Sequence, residues 1–153
     1  MTETPMLGFQ NVTPRRAHAN PSSLPQTTAT PTFNVLGGKV LIHEIIGECT
    51  TLCQTATNNA KWIANPTVGA DVDLCATLDL TADAVGTMYR VNGDLSDAME
   101  TATSGAQEIL GDYRPMLVAA GTLDLSCSAS KTGAIKWTVI WSAVDPGARV
   151  EPV

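Results

Sequence analysis

Aromatic and charged residues are both scarce in this chain. Aromatics make up 5% and charged residues 16% of 153 residues, where roughly a quarter charged is usual. With so few rings, Val, Leu, Ile and Ala must fill most of any core. A surface poor in charge and rich in Thr, Ser, Ala and Asn suits burial against other subunits, or exposure on a virion or extracellular surface. Basic clusters are absent too. Net charge is −6 and Arg15-Arg16 is the one adjacent basic pair, so nucleic acid is not expected as a partner, because phosphate neutralisation needs clustered Lys and Arg. No apolar run approaches the roughly 18 residues of a membrane-spanning helix, and no membrane partner is expected. The N-terminus has no apolar core of a secretory signal. Residues 17–31, polar and proline-rich, argue against a twin-arginine signal at Arg15-Arg16. Synthesis and assembly in a cytoplasm are the expectation.

Catalytic and cofactor signatures are missing as well, so the sequence reads as no enzyme, with neither cofactor nor metal. There is no Gly-x-Ser-x-Gly elbow, and Gly37-Gly38 precedes a strand rather than a helix, unlike a phosphate loop. There is no calcium loop of the EF-hand kind. His43-Glu44 is the single adjacent imidazole and carboxylate. On a regular strand the two point to opposite faces, so His43 reads as structural. His18 has no scaffold to aim it for acid–base work. Asp73 and Asp79 would lie roughly 20 Å apart on one strand, too far for a glycosidase pair. Asp79 and Asp124 read as solvent-facing strand carboxylates, with a calcium site as the sharper alternative if their strands pair. Trp137 and Trp141 fall on the apolar side of their strand, which favours core packing over sugar stacking.

Four cysteines are present, Cys49, Cys53, Cys75 and Cys127. Cytoplasmic synthesis disfavours disulfides, and the 49–53 spacing is wider than a redox or zinc knuckle. On one strand that pair would sit roughly 13 Å apart, and a helical turn would be needed to join them. Free, partly buried thiols are expected.

What the chain does have is a split. Pro5, Pro14, Pro21, Pro25 and Pro31 punctuate residues 1–33, among Thr, Asn, Ser, Ala and Gln. Each proline fixes its φ, removes a donor and biases its predecessor to extended geometry. Little apolar surface is available there to offset ordering entropy. Residues 1–33 therefore read as an extended arm that orders on a partner, residues 34–147 as a β domain, and residues 148–153 as a tail.

The β domain shows strand signals at roughly ten-residue intervals and no convincing amphipathic helix. Residues 39–46 form a β-rich run that Gly47 is expected to end, with a further Thr-rich strand beyond. Residues 60–64 and 87–92 are strand candidates, with Asn92-Gly93 as a turn. Residues 72–81 alternate, placing Cys75 on the wetter face. Residues 94–112 read as a polar connection with room for a short helix at 95–101. Residues 115–119 and 121–129 follow, the latter with Leu123, Leu125 and Cys127 inward. Residues 130–133 read as a hairpin turn before a last strand over 134–144. Seven to nine short strands indicate an all-β fold, an antiparallel β-sandwich or jelly-roll-like barrel.

The run from Gly121 to Trp141, including Leu123-Asp124-Leu125-Ser126-Cys127 and Ile135-Lys136-Trp137-Thr138-Val139-Ile140-Trp141, leads into Val144-Asp145-Pro146-Gly147-Ala148. Together with Asn65-Pro66-Thr67-Val68-Gly69 and Val72-Asp73-Leu74-Cys75-Ala76-Thr77, it resembles small β-rich structural proteins encoded beside the major capsid protein of tailed phages. The resemblance is one of pattern over residues 37–147. It implies a capsid decoration (cement) or head-fibre protein on the exterior of a virion, a homotrimer that binds the major capsid protein. Met6, Leu7, Phe9 and Val12 would then be apolar anchors on a capsid subunit, with Arg15 and Arg16 able to meet an acidic patch. A receptor- or glycan-binding fibre module, or a tail or baseplate component, are the alternatives.

Overall fold

The structure, a computed structural model, describes residues 13–103, 105–109 and 113–153. The chain is all-β, and no helix occurs among the described residues. The strands are β1 Arg15–Ser23, β2 Ala29–Leu36, β3 Val40–Thr51, β4 Asn59–Pro66, β5 Val72–Asp73, β6 Leu78–Asp79, β7 Met88–Val91, β8 Glu100–Ala102, β9 Met116–Val118, β10 Gly121–Cys127, β11 Ala134–Ala143 and β12 Arg149–Pro152. They form two antiparallel sheets. One runs β1-β11-β3-β7-β8, with β9 also on β3. The other runs β12-β2-β10-β4-β5, with β6 also on β4.

The order is that of a jelly roll. β1 pairs with β11, β2 with β10, β3 with β7, and β4 with β5 and β6. This is one long hairpin, β1 to β4 laid against β5 to β11, rolled so that successive strands alternate between the sheets. Rolling then brings β11 onto β3 and β10 onto β4.

Rolling also explains the largest departure from the sequence reading. Residues 1–33 are not an arm throughout, because Arg15–Ser23 and Ala29–Leu36 are the first two strands of the roll. Pro21 and Pro31 sit where the ladder needs no donor. β1 is an edge strand, and Asn20 and Pro21 fall in its bulge between Ala19 and Ser22. Pro31 lies beside a bulge in β2 and beyond the part of β2 that β12 pairs. Edges and bulges are where sheets accept proline. The inward residues of β1 are Ala17 and Ala19, too small to give a hydrophobic alternation. The expected tail is likewise a strand, with β12 pairing Arg149 to Leu36 and Pro152 to Phe33.

Other departures have local causes. Gly47 does not end β3, which continues to Thr51. Residues 72–81 are not one strand, since the chain bends between β5 and β6, and Cys75 is buried instead of wet. The segment allowed a helix at 95–101 instead enters β8, which pairs with β7. Residues 130–133 are no hairpin turn, because β10 and β11 belong to different sheets and the chain crosses between them there. Asp124 is buried, 4% exposed, on a centre strand between β2 and β4. It is no neighbour of Asp79, because β4 lies between their strands.

The few aromatics are concentrated in the core. Phe33 and Trp62 from one sheet meet Tyr89 and Trp137 from the other, all fully buried. Trp62 and Trp137 pack edge to face, centroids 5.0 Å apart, an arrangement that adds to simple area burial. Trp141 is buried as well, under the guanidinium of Arg15 at 5.6 Å.

Candidate interaction surface

The two long sides of the sandwich differ. On one side the edges β1 and β12 stand over a cleft of about 380 Å³. Its walls include Pro21, Pro25, Pro31 and Pro152, with Leu125 among its lining residues. Prolines withhold donors and so discourage strand addition along such an edge. His18, also in the wall, bonds through Nδ1 to Thr138 Oγ1 at 3.0 Å.

On the other side lies an apolar groove of about 350 Å³. Its lining comes from both sheets. The end of β4 and β5 supply Ala64, Pro66 and Val72, while β9 supplies Met116, Leu117 and Val118, with Leu95 at one rim. Among the described residues, none that lines it is charged. Val72, Leu95 and Leu117 are 47%, 46% and 62% exposed, above buried Leu74, Met116 and Val118. Single exposed apolar residues are ordinary, but here three share one concavity.

Polar bonds join the elements around this groove. Arg114 Nη1 donates to Asp94 Oδ2 at 2.5 Å, tying the rim at Leu95 to the start of β9. Hydrogen bonds from the Ser96 hydroxyl and N–H, with Arg114 adding to them, hold the Asp94 carboxyl below the usual range. Gly93 turns the chain at φ +87°, where a Cβ would strike the Arg114 carbonyl oxygen. On the opposite wall, Lys61 Nζ reaches Asp73 Oδ2 at 2.7 Å and fixes β5 to β4. Among the described residues β9 pairs with β3 alone.

Of the residues expected to contact a partner, Met6, Leu7, Phe9 and Val12 lie outside the described residues. Arg15 and Arg16 are exposed on β1, across β11 and β3 from the groove. Sequence reasoning missed the groove. Val72 and Leu95 come from separate loops and strands, and Leu117 looked like any strand residue.

Titratable side chains among the described residues form two clusters. A bulge in β3 leaves two residues between core-facing Ile42 and Ile45, so His43 and Glu44 both leave the core face, unlike the opposite-face expectation. His43 Nε2 bonds Ser142 Oγ at 2.5 Å, and its Nδ1 meets the hydroxyl of Tyr113, which stacks on the ring. Glu44 instead pairs with Arg90, which also holds Glu100, both at 3.0 Å. Arg90 is 6% exposed, and a buried guanidinium of this kind depends on both partners.

All four cysteines are buried free thiols. Contrary to the strand-spacing estimate, the bend after β3 brings Cys49 and Cys53 together without a helix. The Cys53 N–H and the Cys49 thiol donate to the same Asp83 carbonyl, at 3.0 and 3.6 Å. Burial pushes the Cys53 thiol up to about 12 and Cys127 to about 11. Such thiols are poor nucleophiles at neutral pH. Among the described residues no group of three or more His, Cys, Asp or Glu is placed to hold a metal ion.

Comparison of the chain with protein-family models, with curated proteins and with solved structures finds no match.

Proposed function

We propose that this protein is a virion structural subunit that decorates a capsid. The observation that carries this reading is the pairing of a jelly roll with concavities that are apolar or proline-lined. Such a molecule works by presenting surfaces. Jelly rolls serve as viral capsid domains and as lectins, and the resemblance over residues 37–147 favours the capsid. The lectin alternative needs an exposed aromatic platform, and Trp62, Trp137 and Trp141 are all buried.

In this reading residues 1–14 form the docking segment, shorter than the sequence suggested, and engage a neighbouring subunit. The major capsid protein is the partner, and self-association, as a trimer, multiplies weak contacts. Binding only the mature shell would stabilise it by mass action.

The test is co-sedimentation of the purified full chain with purified capsids of the phage that encodes it. Saturable binding, with a raised capsid disruption temperature, is expected. Free protein at micromolar concentrations with no capsid-bound fraction would remove the reading. A tail component would instead bind tail structures and leave capsids bare.

A further inference from the structure

We propose that the groove between β5 and β9 receives the apolar Met6–Val12 segment of a second copy of this chain, linking protomers head to tail. The proposal rests on the reading of residues 1–14 as a docking segment, but it needs no capsid.

The receptor side is a concavity with no charge among its described lining residues and with three exposed apolar residues. Beside it runs β9, which among the described residues is paired on one side only. An extended segment can add to such an edge and drop alternate side chains into the groove. The occupant side is unusual for its surroundings. Met6, Leu7, Phe9 and Val12 fall within seven residues that carry no charge. Uncharged apolar chain therefore meets uncharged apolar wall.

Reach and direction favour a second copy over the same chain. Twelve residues precede Thr13 and span about 40 Å when extended, roughly the width of a domain this size. Arg15, Trp141, Ile42 and Met116 form one row across β1, β11, β3 and β9. The chain thus enters β1 at the same end as the groove, about 14 Å away. Pro14 holds Thr13 extended and carries the chain outward along β1. To enter its own groove the chain would have to reverse at once across the ends of β11 and β3. There the Lys39–Asp145 turn stands, joined by the Lys39 N–H on Asp145 at 2.8 Å. A neighbour's groove requires no reversal. Because segment and groove are different surfaces, the contact is heterologous and repeats, into a ring where the rotation between copies closes and into a filament where it does not.

Light scattering on the full chain, Phe9→Asp and Leu117→Asp tests this. The full chain should be an oligomer, and each variant should have the mass of one chain. Mixed in equal amounts, the variants should give dimers, because one keeps its groove and the other its segment. Leu117 is exposed and Phe9 precedes the described fold, and circular dichroism of each variant verifies the body. A monomeric full chain, an unchanged mass in either variant, or no dimer on mixing would overturn the proposal. Capsid binding is a separate readout. An oligomer that ignores capsids would defeat the proposed function alone, and a capsid-binding monomer would defeat this inference alone.

Discussion

Gly47 and Trp137 face each other across β3 and β11, and the indole occupies the space a side chain at 47 would need. A Cβ there would lie 2.7 Å from Cε3 and 2.9 Å from Cη2 of the ring, with Cζ3 closer still. The glycine is a packing residue, not a strand breaker, and it seats the ring that also touches Trp62 and Tyr89.

Gly47→Ala is therefore expected to destabilise the fold by about 1–3 kcal/mol, the usual range for overpacking a core. Trp137→Ala should cost more, about 3–5 kcal/mol, through the cavity it leaves. Urea unfolding followed by tryptophan fluorescence measures both. A Gly47→Ala midpoint equal to that of the parent would show that the ring is free to move.

The boundary between arm and body is testable by truncation. Removing residues 2–12 leaves β1 to β12 whole, so cooperative unfolding should persist. Removing residues 2–31 strips β1 and the start of β2, turning β11 into an edge and uncovering Trp141. That shorter chain is expected to aggregate or to lose its cooperative transition. A soluble, cooperatively folding product from the second truncation would restore the arm over all of residues 1–33.

Stability should fall at both ends of the pH scale, for opposite reasons. The Asp79, Asp94 and Asp145 carboxyls are held below the ordinary 3.8, by Thr81, by Ser96 with Arg114, and by Lys39. Their contribution is present above that value and disappears as pH falls through the lower native ones. Burial raises all four thiols above the ordinary 9.0, Cys53 to about 12 and Cys127 to about 11. Their contribution is present below 9 and disappears as pH rises from there through the native values. Thermal unfolding between pH 3 and pH 11 should show a plateau between about 5 and 8 with losses on both sides. At pH 8 a thiol reagent should label none of the four cysteines in the native protein and all of them in denaturant. Rapid native labelling, or a midpoint still rising above pH 9, would contradict the buried neutral thiols.

The sequence by itself determined the fold class and most of the strands. Period-two alternation at Leu123, Leu125 and Cys127, and at Ile135, Trp137, Val139 and Trp141, reports burial on one sheet face, a local property of the backbone. Three things were settled only by tertiary structure. Residues 15–36 are strands because β11 and β10 supply partners more than 85 residues away, which no local propensity encodes. Gly47 continues its strand because Trp137, from a distant strand, fills the gap. The groove exists because rolling the hairpin brings Val72, Leu95 and Leu117 to one seam. Alternation says which way a side chain points, while pairing and rolling decide what it meets there.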